Sequence, residues 1–138
     1  MKTVGTDGRS YIFNPAKNSR DCEDENRSSL HIKARELLKK SFPYSTIYEE
    51  VTLVGCKGAA GATLTADFYI PDIGLIVEVH GAQHYKYNKF FFKSESDFAS
   101  AKANDEVKKG WAELNEFVFI ELPYNEIKNW EKIISESC

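Results

Sequence analysis

Asp67, Glu78, His80 and His84 are the residues whose types and spacing in this 138-residue chain point to chemistry. They lie in LTADFYIPDIGLIVEVHGAQH, residues 64–84, which reads as two apolar strands, 63–70 and 75–80, joined by a tight turn over 71–74. Period-two alternation puts Asp67 on one strand face with Thr63, Thr65 and Tyr69, and puts Ile76, Glu78 and His80 together on the next. A turn centred on Asp72 and Ile73 pairs positions whose numbers sum to about 145, so Asp67 falls opposite Glu78. Directly opposed residues hold their Cβ atoms roughly 4.5–5.5 Å apart, and two carboxylates at that distance repel unless a cation sits between them. Oxygen donors of this kind suit Mg²⁺ or Mn²⁺. Glu78 interrupts an apolar run, where an uncompensated carboxylate costs several kcal/mol. His80 projects to the same side and can act as a base or phosphate contact near neutral pH. His84 follows a Gly-Ala-Gln turn and can fold back over the same spot. Taken singly, each acid is as readily a charge on a solvated sheet face. Taken together, they read as a metal-dependent phosphodiesterase site.

The elements that must position these residues are readable from periodicity and caps. Residues 1–27 are polar with little periodicity and are expected to form an irregular N-terminal arm, in which only Tyr11–Phe13 suits a short strand. Ser28 or Ser29 caps a helix that stops before Pro43 and carries the stripe Leu30, Ala34, Leu37 and Leu38, with His31 at its border. A strand is expected over 46–54, then a flexible loop GCKGAAG over 55–61, then the hairpin. Ser94 or Ser96 opens a helix to about Leu114 with Phe98, Ala101, Val107, Trp111 and Leu114 inward. A fourth strand follows over 116–122, and a last helix from Asn125 buries Ile127, Trp130, Ile133 and Ile134. The order after the arm is α-β-β-β-α-β-α: an α/β/α sandwich around a mixed four-stranded sheet, one domain over residues 28–138.

Composition bounds the setting. No apolar run nears the roughly 18 residues of a membrane span, and no signal-like segment opens the chain. Cys22, Cys56 and Cys138 are odd in number and show no CxxC spacing, which argues against a disulfide framework or a structural zinc and for the cytoplasm. A net charge of −3 argues against a protein that coats nucleic acid indiscriminately. It allows a local patch: residues 81–110 carry six lysines against four acids.

The stretch DFYIP…LIVEVHGAQH, followed by DFASAKANDEVKKGW and FVFIELP, resembles the restriction-endonuclease-like PD-(D/E)xK superfamily. Within it, the chain is most similar to very-short-patch-repair (Vsr-type) endonucleases and their EDxHD homing-endonuclease relatives, over about residues 27–138. The superfamily's Asp…Glu-x-Lys reads here as Asp67 and Glu78-Val79-His80; histidine replaces lysine, as in the Vsr-like branch, and His84 matches that branch's second histidine with a slightly different gap. The branch's catalytic Glu on the first helix falls at His31, so the resemblance brings all three histidines to one site.

The resemblance implies Mg²⁺-dependent hydrolysis of a DNA phosphodiester, with Mn²⁺ able to substitute. Asp67 and Glu78 would hold the ion, helped by the Val79 carbonyl and by an upstream acid, of which Glu50 is favoured over Glu49. His80 would orient or deprotonate water, while His84 and His31 would contact phosphate or assist the leaving oxygen. Activity should then fall as pH drops through roughly 6.5. Asp105 is expected in a surface pair with Lys108 or Lys109. The loop 85–93 is the expected DNA contact: Tyr85, Tyr87 and Phe90–Phe92 stack on or wedge between bases and Lys86, Lys89 and Lys93 meet phosphates, although at least one of the three phenylalanines is expected to enter the core instead. The same site would serve a junction-resolving or RNA-directed nuclease, and a non-catalytic DNA-binding module is the alternative from another class. A homodimer or a specificity-supplying partner suits the short chain. The compact architecture resembles a phage or mobile-element protein acting in a bacterial or phage-infected cell.

Overall fold

Ser28 opens the first helix by accepting a hydrogen bond from the His31 backbone N–H at 3.2 Å, as a serine N-cap should. This helix, α1 (Ser29–Ser41), turns Ala34 and Leu38 fully inward with Leu30 and Leu37 beside them. It ends where Phe42 N–H closes onto the Leu38 carbonyl, one residue before Pro43, with Lys39 and Lys40 complementing the negative end of the helix dipole. The computed structural model describes residues 1–17, 19, 28–58, 61–80 and 95–137.

Two short N-terminal strands, β1 (Lys2–Val4) and β2 (Ser10–Ile12), pair antiparallel. The main sheet contains β3 (Tyr48–Lys57), β4 (Thr63–Ile70), β5 (Leu75–His80) and β6 (Val118–Pro123), in that spatial order. β3–β4 and β4–β5 are antiparallel, whereas β5 and β6 run parallel, joined by the long helix α2 (Glu95–Leu114). A parallel pair needs such a crossover because a tight turn cannot reverse the chain twice. The final helix, α3 (Trp130–Ser137), packs against β6. The chain is thus an α/β fold with a mixed four-stranded sheet, as the sequence order implies.

Side-chain alternation divides the core into two layers. Tyr69 and Ile76 join Val51, Leu53, Trp111 and Phe117 on the α2 side. Their neighbours Phe68 and Val77 join Ala34, Leu38, Leu122, Trp130 and Ile134 on the α1 and α3 side. The turn between β4 and β5 is a single 3₁₀ turn, Pro71–Ile73, closed by Gly74 at φ 58°. A Cβ at Gly74 would meet only the Phe117 ring, at 3.6 Å. Conformation rather than space therefore sets the cost of substitution: Gly74→Ala is expected to cost about 1 kcal/mol and lower Tm by roughly 3–5 °C in a thermal melt.

Four expectations change. The arm is not irregular throughout: β1 and β2 form a hairpin, and Phe13 just after it is 1% exposed, wedged among Tyr69, Trp111 and Phe117. Alternation over three residues is too short to betray such a hairpin. β3 runs past its expected end through Gly55 (φ 79°) to Lys57, because the Gly55 carbonyl accepts Thr6 N–H and ties the strand to the N-terminal hairpin. The last helix starts late: the backbone breaks helical form at Glu126, so 124–129 is 3₁₀ and Ile127 stays 40% exposed while Trp130 and Ile134 are buried. Leu114, assigned to the inward side of α2, is likewise exposed.

Candidate active site

The β4–β5 register is Phe68 with Val77, Tyr69 with Ile76 and Ile70 with Leu75, which brings Asp67 opposite Glu78 just beyond the last regular pair. There the backbone ladder gives way to side chains. Asp67 N–H donates to Glu78 Oε1 at 3.3 Å, and Val79 N–H donates to Asp67 Oδ2 at 2.7 Å. Asp67 is half-buried and Glu78 only 3% exposed. The parallel ladder then sets Glu78 beside Glu121 of β6, and the β3–β4 register sets Glu50 opposite Asp67. One row across the sheet therefore carries a carboxylate on each of the four strands.

Helix α2 supplies the compensating charge. Lys108 Nζ donates to Glu78 Oε1 at 3.2 Å, and Lys109 Nζ reaches Glu121 Oε1 at 2.5 Å. His80, buried at the end of β5, has Nδ1 3.3 Å from Glu121 Oε2 and Nε2 4.0 Å from Asp105 Oδ1. The surface-pair expectation for Asp105 is thus corrected: Asp105 and Lys108 face the sheet and its charged row. The signal was present in the sequence. Positions 105, 108, 109 and 112 follow the i, i+3, i+4, i+7 spacing of an inward helix face, and Ala112 at its end is fully buried.

Burial, and then the negative charge of Asp67, push the Glu78 carboxyl from an ordinary 4.5 up to about 8, with Lys108 pulling the other way. The folded chain therefore holds a proton that the unfolded chain has already released between those values. Stability of the metal-free protein should fall as pH rises through that window. Each pH unit is worth at most about 1.4 kcal/mol for one proton. In urea titrations with chelator, wild type is expected to lose about 2–3 kcal/mol relative to Glu78→Gln between pH 5 and pH 8. Parallel pH profiles for the two proteins would contradict this.

His31 is not part of this cluster. Its imidazole lies on the α1 side, 2.5 Å from Glu49 Oε1 and stacked on Phe68 with ring centroids 4.5 Å apart. Glu49 is fully buried and also accepts Arg35 Nε at 2.8 Å and a second guanidinium N–H at 2.9 Å. The expected convergence of His31 with His80 is corrected accordingly, because the α1 stripe carries His31 inward against the opposite face of the sheet. Glu49 turns toward α1, where it belongs with His31 and Arg35. Glu50 has φ 46°, a left-handed value that few residues other than glycine adopt. It separates Glu49, facing α1, from Val51, which packs in the layer with Trp111. His84, Tyr85, Lys86, Tyr87, Lys89 and Lys93, together with Phe90–Phe92, lie outside the described residues.

Among the described residues, no group of three or more His, Cys, Asp or Glu side chains is arranged to hold a metal ion. The donor set nevertheless fits Mg²⁺, which takes one or two carboxylates and retains several waters. Burial first, and then the charge of Asp67, disfavour the Glu78 carboxylate, and a cation between the two acids would relieve both. The hydrogen bonds described engage only Asp67 Oδ2 and Glu78 Oε1.

A 64-residue stretch of the chain is 39% identical to uncharacterized protein 033L of invertebrate iridescent virus 3, covering 46% of this chain and 33% of that protein. A 61-residue stretch is 39% identical to uncharacterized protein 307L of invertebrate iridescent virus 6, covering 44% and 31% respectively. The chain thus spans about a third of the length of these curated relatives. No family model and no solved structure matches it. No helix among the described residues is long and apolar enough to cross a membrane.

Proposed function

We propose that the chain is a divalent-metal-dependent endodeoxyribonuclease of the PD-(D/E)xK type, related in design to the Vsr-like and homing-endonuclease branch. The observation that carries this reading is the opposition of Asp67 and buried Glu78 where the β4–β5 ladder ends, with His80 next on the same strand face. A buried Glu78 set against a second carboxylate is accounted for by a cation and a phosphate substrate.

Asp67 and Glu78 would hold Mg²⁺ or Mn²⁺, with the Val79 carbonyl and Glu50 as the further donors that the resemblance implies. Bound there, the ion would neutralise the scissile phosphate and lower the pKa of a water. The chain's own residues do the rest. His80, with Nδ1 3.3 Å from Glu121 Oε2 and Nε2 4.0 Å from Asp105 Oδ1, would orient or deprotonate the attacking water. Lys108 brings a fixed positive charge to the anionic centre. A cytoplasmic site of action and DNA contacts from 85–93 go with the same reading.

A non-catalytic DNA-binding module is the rival. It is favoured by one observation: Lys108 Nζ, 3.2 Å from Glu78 Oε1, already sets a positive charge beside the pair without a metal. Binding of Mn²⁺ followed by calorimetry, together with nicking of supercoiled plasmid, separates the two. The nuclease binds the ion through Asp67 and cuts, and Asp67→Ala loses both; a binding module does neither.

A further inference from the structure

We propose that His31, Glu49 and Arg35 form a positioning clamp for Asp67, and that His31 is a positioning residue rather than a catalytic one. This deepens the nuclease reading and rests on it for one of its two readouts. Phe68 is the residue through which the clamp acts. It follows Asp67 directly, pairs with Glu49 across β3–β4 and pairs with Val77 across β4–β5. His31 stacks flat on Phe68, at an interplanar angle of 26°, while bonded to Glu49. The Arg35 fork holds Glu49 from the same helix one turn later. One helix face thus grips two strands at the positions just before Glu50 and just after Asp67.

The backbone shows what is gripped. With Glu49 held toward α1 and Val51 packed toward α2, the intervening Glu50 is forced to φ 46°. Such strain persists only where surrounding contacts over-determine it. Across the ladder from this kink, Asp67 has left regular pairing and accepts the Val79 N–H through its side chain. The Val79 amide therefore reports whether Asp67 is in place.

The test compares His31→Gln, whose amide N–H can replace imidazole Nε2 as donor to Glu49, with His31→Leu, which removes the donor and the ring. Two quantities are read: amide hydrogen exchange at Val79 relative to Val77, a ratio that uniform destabilisation does not move, and the rate of plasmid nicking with Mg²⁺. His31→Leu is expected to raise the exchange ratio at least about tenfold and slow nicking at least about tenfold. His31→Gln should stay within about threefold of wild type in both. An unchanged Val79 ratio in His31→Leu overturns the clamp. Equal loss of nicking in His31→Gln and His31→Leu overturns the positioning role and returns the imidazole to the chemistry. Should His31→Leu fail to fold, His31→Phe keeps a ring on Phe68 without a donor and carries the same expectation. If wild type nicks no DNA, the nuclease reading fails by itself, and the Val79 ratio still decides the clamp.

Discussion

Arg35→Ala is expected to lower the unfolding free energy by about 3–5 kcal/mol, the usual cost of removing one partner from a buried ion pair. The guanidinium engages Glu49 through two N–H groups, both side chains are almost wholly excluded from water, and His31 is the third donor. Without Arg35, a fully buried carboxylate is left with one imidazole as its partner. Urea unfolding at neutral pH measures the loss, which should appear as a lower midpoint with an unchanged slope. Replacing His31, Arg35 and Glu49 together with apolar side chains of similar volume should come out near neutral, since no charge then remains to desolvate. A loss below about 1 kcal/mol for Arg35→Ala would mean that the cluster is solvated in a way its burial does not show.

The order of elements and the hairpin register were legible in the sequence because each rests on a short-range rule. The Leu30, Ala34, Leu37, Leu38 stripe orients α1, and Pro71–Gly74 fixes a turn whose arithmetic sets Asp67 against Glu78. The partners of those acids were legible only in part: the 105, 108, 109, 112 spacing marks an inward face of α2, but long-range packing decides which strand that face meets. Lys108 and Asp105 look like an ordinary surface pair until α2 is laid over β5. His31 failed for the opposite reason. A family motif aligned it to a catalytic position, yet the neighbouring Arg35 and the strand acid Glu49 offered it a buried partner on the other face. The N-terminal hairpin was missed because its strands are three residues long, and its Phe13 anchor is recognised only through the Tyr69, Trp111 and Phe117 rings it meets.

Asp67→Ala is expected to reduce Mg²⁺-dependent cleavage at least about a thousandfold, equivalent to roughly 4 kcal/mol at the barrier. Two losses combine: the half-buried oxygen donor opposite Glu78, and the acceptor that orders the Val79 amide. The fold should survive, since Asp67 lies beyond the last regular β4–β5 pair and the layers on either side of it are closed by Phe68, Tyr69, Ile76 and Val77. Removing the charge should also release Glu78 from part of its repulsion, so Asp67→Ala is expected to melt within a few degrees of wild type. That separates a catalytic loss from a structural one.

The most direct measurement is therefore the nicking of supercoiled plasmid by wild type, Asp67→Ala and His80→Ala, with Mg²⁺ or Mn²⁺ and in chelator. Metal-dependent cutting by wild type that disappears in both variants, while both remain folded, is the predicted result. Cutting that persists in Asp67→Ala, or a wild type that cuts neither plasmid, junction nor single-stranded DNA, would contradict a metal-dependent nuclease centred on the β4–β5 carboxylates.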